Sequence, residues 1–490
     1  MHALQTSHKR YPQTESPSLI DLSVGELLTR LRARTLTCRE LVEVHIARTK
    51  EVNPKLNALV VDRFAQACTE ADAADALYDA ADHTTLPPLL GIPCSIKEFV
   101  ALKGMPHTGG VLHRKGVVAT QDATVSARLR RAGAIPLGVT NVPEGGLWME
   151  THNLIWGRTS NPWDVRRTCG GSSGGEGALV GSGATPFGIG SDIGGSIRIP
   201  AAFCGTVGHK PSAGLVPNTG HFPAAKDPHG YMVIGPLCRR VADVMPILRV
   251  IAGPDDHDPV CQRMPLRDPQ SVHIPSLRVF AWHGGSPIRP VMREAIDLSA
   301  RALLQAGAKE GVLSARDLDG GFMLWASALQ AANPEGYESV VSGEGGIPIL
   351  RELLRYPFGR SNFVLPTLIT MLSESILRKL PLGFDALLLR LARLRESLDA
   401  QLGDSGVILH PPYSRPAPRH KLALLTPFDA ECTALFNVLG YAVTVVPIGF
   451  DEEGIPVAVQ VIARQGNDHL TLAAAQVLEG AFGGWRCAMR

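Results

Sequence analysis

Long hydrophobic runs are missing from this sequence of 490 residues. No stretch of about 18 uninterrupted apolar residues occurs, although 45% of the residues are hydrophobic, so no transmembrane helix is predicted. Residues 1–18 are polar and do not contain the apolar core of a secretory signal peptide. The sequence therefore predicts a soluble, cytoplasmic protein that carries no N-terminal membrane anchor.

Paired cysteines and blocks of like charge are also missing. The nine cysteines are odd in number and scattered, and no Cys-x-x-Cys pair occurs, so neither a disulfide framework nor a structural zinc site is predicted. The formal net charge is only +2 and the charged residues are interspersed, which argues against a nucleic-acid partner. We expect no metal ion and no nucleic acid to bind.

The glycine-rich stretch over residues 170–195 lacks the features of a phosphate-binding loop. A P-loop needs a lysine directly after its glycines, and none follows here. A dinucleotide-binding fingerprint needs a third glycine, which is missing after Gly181-Ser182-Gly183. The sequence therefore predicts no nucleotide cofactor, and we expect no cofactor of another kind.

Capping signals mark the first helices. Ser23 and Thr37 are each followed three residues later by a glutamate, Glu26 and Glu40, and an apolar periodic segment comes next. In this capping box the hydroxyl and the carboxylate satisfy backbone donors reciprocally. The pattern predicts two helices, the second ending near residues 53–54.

Helical and strand-like segments alternate in the following part of the chain. A third helix is predicted over residues 62–82, and a short apolar run over residues 89–96 indicates a buried strand that delivers Lys97. Residues 123–133 have helical spacing and residues 135–139 are strand-like. This alternation predicts an α/β fold.

No internal repeat and no long linker divides the chain. We expect a flexible leader over residues 1–20 and a single domain over residues 21–490.

The tetrapeptide Ile-Gly-Gly-Ser at residues 193–196 can supply two parts of an acyl-transfer site. Glycines have no Cβ, so the backbone can turn tightly and direct consecutive N–H groups toward one point. Ser196 at the end of such a turn would hold its Oγ about 3 Å from that point. Because Gly-Gly-Ser is common in loops, the pattern alone does not separate a nucleophile from a loop serine.

A base for this serine is not marked by any histidine context. Ser-Lys variants of the catalytic triad exist, and a lysine acts as a base where burial lowers its pKa. Lys97 follows the apolar residues 92–96, a setting that can remove water from its ammonium group. Spacing alone equally fits a lysine at a strand end that reaches solvent, and both interpretations stay open at this point.

Three segments taken together resemble the signature motifs of the amidase signature family. They are GIPCSIKE (residues 91–98), GGSSGG (residues 170–175) and DIGGSIR (residues 192–198), in the family's order and spacing. The resemblance covers about residues 20–485. It is greatest to the fatty acid amide hydrolases, particularly the second vertebrate type, but without their membrane anchor.

The resemblance implies the amidase signature fold, a mixed central β-sheet of about eleven strands with helices on both faces. It implies a Ser-Ser-Lys triad that needs no cofactor, with Lys97 as the base, Ser172 as the proton relay and Ser196 as the nucleophile, and a cis peptide at Ser172. The oxyanion hole that it implies consists of the backbone N–H groups of Ile193, Gly194, Gly195 and Ser196.

Three neighbours of the triad have supporting roles in this interpretation. Ser173 either hydrogen-bonds within the relay or is a structural loop serine. Asp192 and Arg198 bracket Ser196 in the sequence. We expect them to form an ion pair that orients the loop, rather than to be independent surface charges.

The substrate is less constrained than the chemistry. Leu147, Trp148, Met149 and the apolar residues 363–394 are candidates for an acyl channel, although residues 363–394 also fit a membrane-contacting cap or a plain amphipathic core helix. We expect a small-molecule amide, either a fatty acid amide or an aryl acylamide. A glutamine-hydrolysing amidotransferase subunit is the alternative, and a non-catalytic scaffold is disfavoured. A homodimer and a peripheral membrane contact are left open.

Overall fold

The computed structural model describes residues 18–80, 85–224, 228–284, 287–313, 318, 320–333, 335–343, 346–378, 384–426, 429 and 431–489. Most of the expected leader, residues 1–17, lies outside the described residues, and Leu19–Asp21 form a 3₁₀ turn.

Thirteen strands are present in the described part of the chain. In chain order they are β1 (Leu59–Asp62), β2 (Pro93–Lys97), β3 (Ile135–Thr140), β4 (His152–Asn153), β5 (Gly157–Arg158), β6 (Phe187–Asp192), β7 (Val207–Lys210), β8 (Val233–Cys238), β9 (Arg278–Ala281), β10 (Lys309–Glu310), β11 (Gly406–His410), β12 (Ala442–Phe450) and β13 (Pro456–Ala463). Eleven of them form one sheet in the order β1-β3-β2-β6-β8-β7-β12-β13-β11-β9-β10, and β4 pairs with β5 separately. The sheet is mixed, as predicted.

Fifteen α-helices surround this sheet among the described residues. They are α1 (Val24–Arg32), α2 (Cys38–Leu56), α3 (Phe64–Ala80), α4 (Thr124–Arg131), α5 (Gly174–Gly181), α6 (Arg198–Cys204), α7 (Val244–Ile251), α8 (Pro290–Gln305), α9 (Gly321–Ala332), α10 (Gly336–Ser342), α11 (Ile349–Arg355), α12 (Leu365–Leu377), α13 (Phe384–Leu402), α14 (Glu431–Val438) and α15 (Asp468–Phe482). None of these helices combines the length and the apolar character needed to cross a membrane.

The two predicted capping boxes are confirmed. The Ser23 hydroxyl accepts from the Glu26 N–H and the Glu26 carboxylate accepts from the Ser23 N–H, and the same reciprocal pair joins Thr37 and Glu40. Helix α2 continues to Leu56, slightly beyond the predicted end. The third predicted helix is α3.

Both faces of the sheet are covered by helices. Side chains alternate between the two faces of a strand. On β13, Val459 and Val461 pack in one cluster with residues of α8 and α15. The intervening side chains face the other way, with Ala458 packing beside α6 and Ile462 beside α13 and α14. The prediction of helices on both faces is confirmed.

Parallel pairing brings three strand ends together. Strand β2 pairs in parallel with β3 on one side and with β6 on the other. The carboxyl ends of parallel neighbours lie at the same edge of a sheet. Lys97 ends β2, Thr140 ends β3 and Asp192 ends β6. This edge therefore gathers the polar residues of the signature segments.

Residues 363–394 divide into two environments. Helix α12 packs through Leu368 into a small apolar cluster with Tyr337 of α10. Helix α13 packs through Leu391 into a second, larger apolar cluster that contains Ile408 of β11, so the core-helix interpretation applies to α13. Part of the segment, residues 379–383, lies outside the described residues.

The capping box of α2 generates a stability prediction. Replacing Thr37 by alanine leaves the Glu40 N–H without its side-chain acceptor, and loss of such a cap typically costs about 1 kcal/mol. We expect Thr37→Ala to lower the free energy of unfolding by about that amount in urea titrations. Thr69→Ala, an exposed mid-helix change in α3, is the matched control, and an equal loss in both variants would contradict the capping argument.

Candidate active site

The three residues of the predicted triad reach one place from three segments. Lys97 is the last residue of β2, Ser172 lies in the glycine loop before α5, and Ser196 lies in the loop between β6 and α6. All three are buried, with 0%, 3% and 8% of their surface exposed. The structure therefore brings the signature segments together below the protein surface.

The amine of Lys97 points into the protein. Its Nζ lies 2.7 Å from Ser172 Oγ, 3.0 Å from Ser191 Oγ and 3.3 Å from the Ser191 carbonyl oxygen. Burial lowers the pKa of Lys97 to about 7, although the nearby carboxyls of Asp192 and Glu176 oppose that effect. The alternative of a lysine that reaches solvent is wrong, because the strand before it is buried along its whole length.

Glu176 contributes less charge to this site than its residue type suggests. One oxygen of its carboxyl is hydrogen-bonded to the Ser95 hydroxyl, and the other lies 2.7 Å from Thr140 Oγ1. Burial raises the pKa of Glu176 to about 8, so the group is mostly protonated at pH 7. An uncharged Glu176 leaves the ammonium form of Lys97 without that stabilising anion.

Two loops are joined through their backbones. One is the glycine loop, residues 170–173, and the other, residues 193–197, is called the nucleophile loop after the predicted role of Ser196. The Ser173 N–H donates to the Ser196 carbonyl oxygen at 3.0 Å. The Gly171–Ser172 peptide is cis, as the resemblance implies. A Cβ on Gly171 would lie 2.4 Å from the Trp148 carbonyl oxygen, which explains why glycine precedes the relay serine.

Ser173 binds backbone rather than the relay hydroxyls. Its Oγ donates to the Ser191 carbonyl oxygen at 3.2 Å and accepts from the Ser191 N–H at 3.3 Å. These contacts hold the glycine loop against β6. They favour the structural interpretation of Ser173 over membership of the relay.

Side chains from distant helices hold the loop over residues 193–196 in place by donating hydrogen bonds to its carbonyl groups. The Trp325 indole donates to the Ile193 oxygen at 2.7 Å, and Thr433 Oγ1 donates to the Gly194 oxygen at 2.6 Å. Gly195 has φ = +128°, and a Cβ there would meet Thr433 Oγ1 at 2.3 Å. Glycine is therefore required at this turn both by conformation and by packing.

Three of the four predicted oxyanion donors are free in the described part of the chain. The N–H groups of Ile193, Gly194 and Ser196 donate to no protein atom there. The Gly195 N–H instead donates to Asp192 Oδ1 at 2.7 Å. The oxyanion hole stays a prediction, and of its four members Ile193, Gly194 and Ser196 offer N–H groups that are not already engaged by a buried carboxylate.

Asp192 and Arg198 form the expected ion pair, and both side chains are fully buried. Arg198 Nη2 lies 2.8 Å from Asp192 Oδ1. Burial alone would raise the pKa of Asp192, but the Arg198 guanidinium holds it well below its usual range. Asp192 also accepts from the Ile197 N–H at 3.0 Å. The pair thus holds the backbone on both sides of Ser196.

Sequence reasoning missed four residues that support this site. Ser191 stands directly before Asp192, and its position at the end of a strand parallel to β2 could have pointed to Lys97. Trp325, Thr433 and Asn437 had no comparable signal, because they contact the nucleophile loop from positions 132 to 245 residues away.

The residues proposed for the acyl channel pack into apolar clusters. Phe222 and Leu147 belong to the same cluster as Leu368 and Phe363. A cavity of about 360 Å³ borders this cluster and is lined by Leu112, His113, Val341, Ser342, Gly346, Ile347, Pro348, Glu352, Asn362 and Phe363. Trp148 and Met149 pack elsewhere, with the cluster that contains Ile197. The proposed channel residues 147–149 therefore divide between two apolar clusters.

Comparisons with known proteins agree with this architecture. A family model described as Amidase matches residues 40–472. Fatty-acid amide hydrolase 2-B of Danio rerio is 39% identical over 495 residues, covering 97% of this chain and 92% of that protein. Fatty-acid amide hydrolase 2 of Homo sapiens is 38% identical over 496 residues, covering 97% and 92%. The structure of 6-aminohexanoate cyclic dimer hydrolase is similar with a TM-score of 0.78 and 26% identity, covering 95% and 98%.

The buried ion pair generates a second stability prediction. Asp192→Asn keeps the shape of the side chain but leaves the Arg198 charge buried without its counter-ion. Breaking a buried pair in this way typically costs about 3–5 kcal/mol, so we expect a loss of that order in urea unfolding. Asp72→Asn, which removes an exposed partner of Arg39, is the control and should change the midpoint little. Equal effects of the two changes would contradict the assigned role of the pair.

Proposed function

This chain belongs to the amidase family and is an amide-cleaving hydrolase, and we propose that it works through an acyl intermediate on Ser196. The observation that carries the proposal is the 2.7 Å contact between Lys97 Nζ and Ser172 Oγ inside the protein. A lysine whose pKa lies near 7 is partly neutral at that pH and can accept a proton.

The first half of the reaction transfers the acyl group to the enzyme. Neutral Lys97 takes the proton of Ser172, Ser172 takes that of Ser196, and Ser196 Oγ attacks the amide carbonyl carbon. The negative charge that develops on the carbonyl oxygen is received by the free N–H groups of Ile193, Gly194 and Ser196. Loss of one such donor typically costs about 100- to 1000-fold in rate.

The second half returns the protons and releases the acid. The relay run backward protonates the amide nitrogen, which leaves poorly as an anion, and the C–N bond breaks. Water then attacks the acyl-Ser196 ester, and its proton passes to the relay as Ser196 Oγ leaves. The side chains of Lys97, Ser172 and Ser196 carry every proton of this scheme.

For the substrate, we propose amides with an apolar acyl or aryl part, either fatty acid amides or aryl acylamides. The named activity of the fatty-acid amide hydrolase 2 relatives supports this choice. The apolar cluster that contains Phe222, Leu147 and Leu368 supports it as well.

The pKa of Lys97 predicts the pH profile of the reaction. Below pH 7 the amine is protonated and cannot accept a proton, so kcat should fall about tenfold for each pH unit below about 6 and level off above about 8. Lys210→Met is the control, because Lys210 is also buried with a pKa of about 7, and its one hydrogen bond to a described residue goes to the Pro211 carbonyl. A flat profile from pH 6 to 10, or an acid limb that disappears in Lys210→Met, would contradict the assignment of Lys97.

A substrate panel tests the proposed acyl intermediate and the substrate class together. We expect the wild-type enzyme to hydrolyse oleamide or an acetanilide in preference to glutamine, and mass spectrometry of quenched reactions to find the acyl group on the Ser196 peptide. Ser196→Ala should lose at least about 10⁴-fold of the rate, as losses of serine nucleophiles do. Folded Ser196→Ala enzyme with wild-type activity would rule out the mechanism, and a preference for glutamine would rule out the substrate class.

A further inference from the structure

Lys97 has a second hydroxyl partner besides the proposed relay serine. Its Nζ lies 3.0 Å from Ser191 Oγ, and Ser191 Oγ lies 2.8 Å from Nε2 of His221. Ser191 is 3% exposed and His221 is 8% exposed. A buried chain of hydrogen bonds therefore runs from Lys97 through Ser191 to His221, a residue that the mechanism has not used.

The Pro223 carbonyl determines which nitrogen of His221 carries the proton. His221 Nδ1 lies 2.8 Å from the Pro223 oxygen. A carbonyl oxygen only accepts, so Nδ1 donates, and in a neutral imidazole Nε2 must then be the acceptor.

The surroundings keep the ring neutral. Burial, together with the neighbouring charges of Lys97 and His107, lowers the pKa of His221 to about 3, although the hydrogen bond to the Pro223 carbonyl opposes that effect. The Phe99 ring packs against His221 edge to face, with centroids 5.6 Å apart. The ring is therefore uncharged over the whole pH range in which Lys97 can act as a base.

The neutral ring fixes the direction of the other hydrogen bonds. Since Nε2 has no proton, the Ser191 hydroxyl donates to it, and the Ser191 oxygen is left to accept from Lys97. The Ser191 carbonyl oxygen, 3.3 Å from Nζ, accepts a second N–H. A neutral lysine amine has two N–H groups and one lone pair. With both N–H groups directed at Ser191, the lone pair faces the Ser172 hydroxyl at 2.7 Å.

We propose that His221 and Ser191 are positioning residues that orient the lone pair of Lys97 toward Ser172 and so set the direction of the proton relay. The proposal rests on the triad described under the proposed function. If the Ser191 hydroxyl donated to Lys97 instead, it would compete with Ser172 for the one lone pair, and Ser172 could not pass on the proton of Ser196. Both residues act through Lys97 and do not touch the reacting carbonyl.

Two substitutions at His221 test the proposed direction of these hydrogen bonds. His221→Leu removes the acceptor, whereas His221→Gln keeps an acceptor oxygen near the position of Nε2. With the best amide of the panel, we expect His221→Leu to lose about tenfold or more in kcat with KM changed less than about twofold, and His221→Gln to stay within about threefold of wild type. In His221→Leu the acid limb should also move to lower pH, because a Ser191 hydroxyl that donates to Lys97 stabilises the neutral amine.

A double-mutant cycle with Ser191→Ala provides the independent measurement. Because the two residues act as one chain, adding His221→Leu to Ser191→Ala should cost no further kcat. Three results would overturn the proposal. The first is additive losses of kcat in the double mutant, and the second is equal losses in His221→Leu and His221→Gln. The third is a wild-type kcat and pH profile in His221→Leu. Should His221→Leu fail to fold, Ser191→Ala must still lower kcat at unchanged KM, and a wild-type kcat there would overturn it.

Ser196→Ala is measured in the same series, so that the two proposals fail separately. If Ser196→Ala is inactive while His221→Leu and Ser191→Ala behave as wild type, only the positioning role is wrong. If Ser196→Ala retains amide hydrolysis, the triad itself is wrong.

Discussion

The burial of the Lys97 amine is the constraint on which the rest of the site depends. An ammonium group removed from water either finds a counter-ion or loses its proton more easily. Within the described part of the chain no carboxylate lies within ion-pair distance of Lys97, and Glu176 nearby is mostly protonated at pH 7. The amine is surrounded by neutral oxygens instead, two hydroxyls and a carbonyl. A lysine with a pKa of about 7 is partly neutral at that pH, which is what the proposed role as a base requires.

The Asp192 carboxylate lies near Lys97, but its direct contacts are with other groups. The Asp192 carboxylate is held by Arg198 and by the backbone N–H groups of Gly195 and Ile197. Arg198 in turn donates to the Thr433 carbonyl at 2.9 Å and to Asn437 of α14. The nucleophile loop is thus tied to a helix far away in the sequence, and its remaining N–H groups stay free to face a substrate. The short contacts of the Asp192 carboxylate are with Arg198 and the loop, and its charge only partly opposes the effect of burial on Lys97.

The sequence predicts those features of the structure that depend on residues close together along the chain. The capping boxes at Ser23 and Thr37 satisfy their own helix ends within three residues, so their pattern is visible without a structure. The apolar run over residues 89–96 likewise predicted the buried strand that ends at Lys97. The loss of the Gly195 N–H to Asp192 could not be predicted, because it depends on the loop's turn in space. The contacts of Trp325 and Thr433 had no signal either, since a single long-range hydrogen bond leaves no periodicity. Residues 363–394 look like one apolar unit in the sequence, yet their two helices pack into different clusters.

A lowered pKa does not by itself identify a catalytic lysine in this protein. Burial brings both Lys97 and Lys210 to a pKa of about 7, and both have Asp192 as a neighbouring charge. Lys210 donates to the Pro211 carbonyl, which has no proton to give, whereas Lys97 meets a serine hydroxyl at 2.7 Å. Basicity near neutral pH is therefore a consequence of burial that two residues share. What sets Lys97 apart is its contact with a serine hydroxyl, and in the proposed network its N–H groups are occupied by Ser191 so that its lone pair faces that hydroxyl.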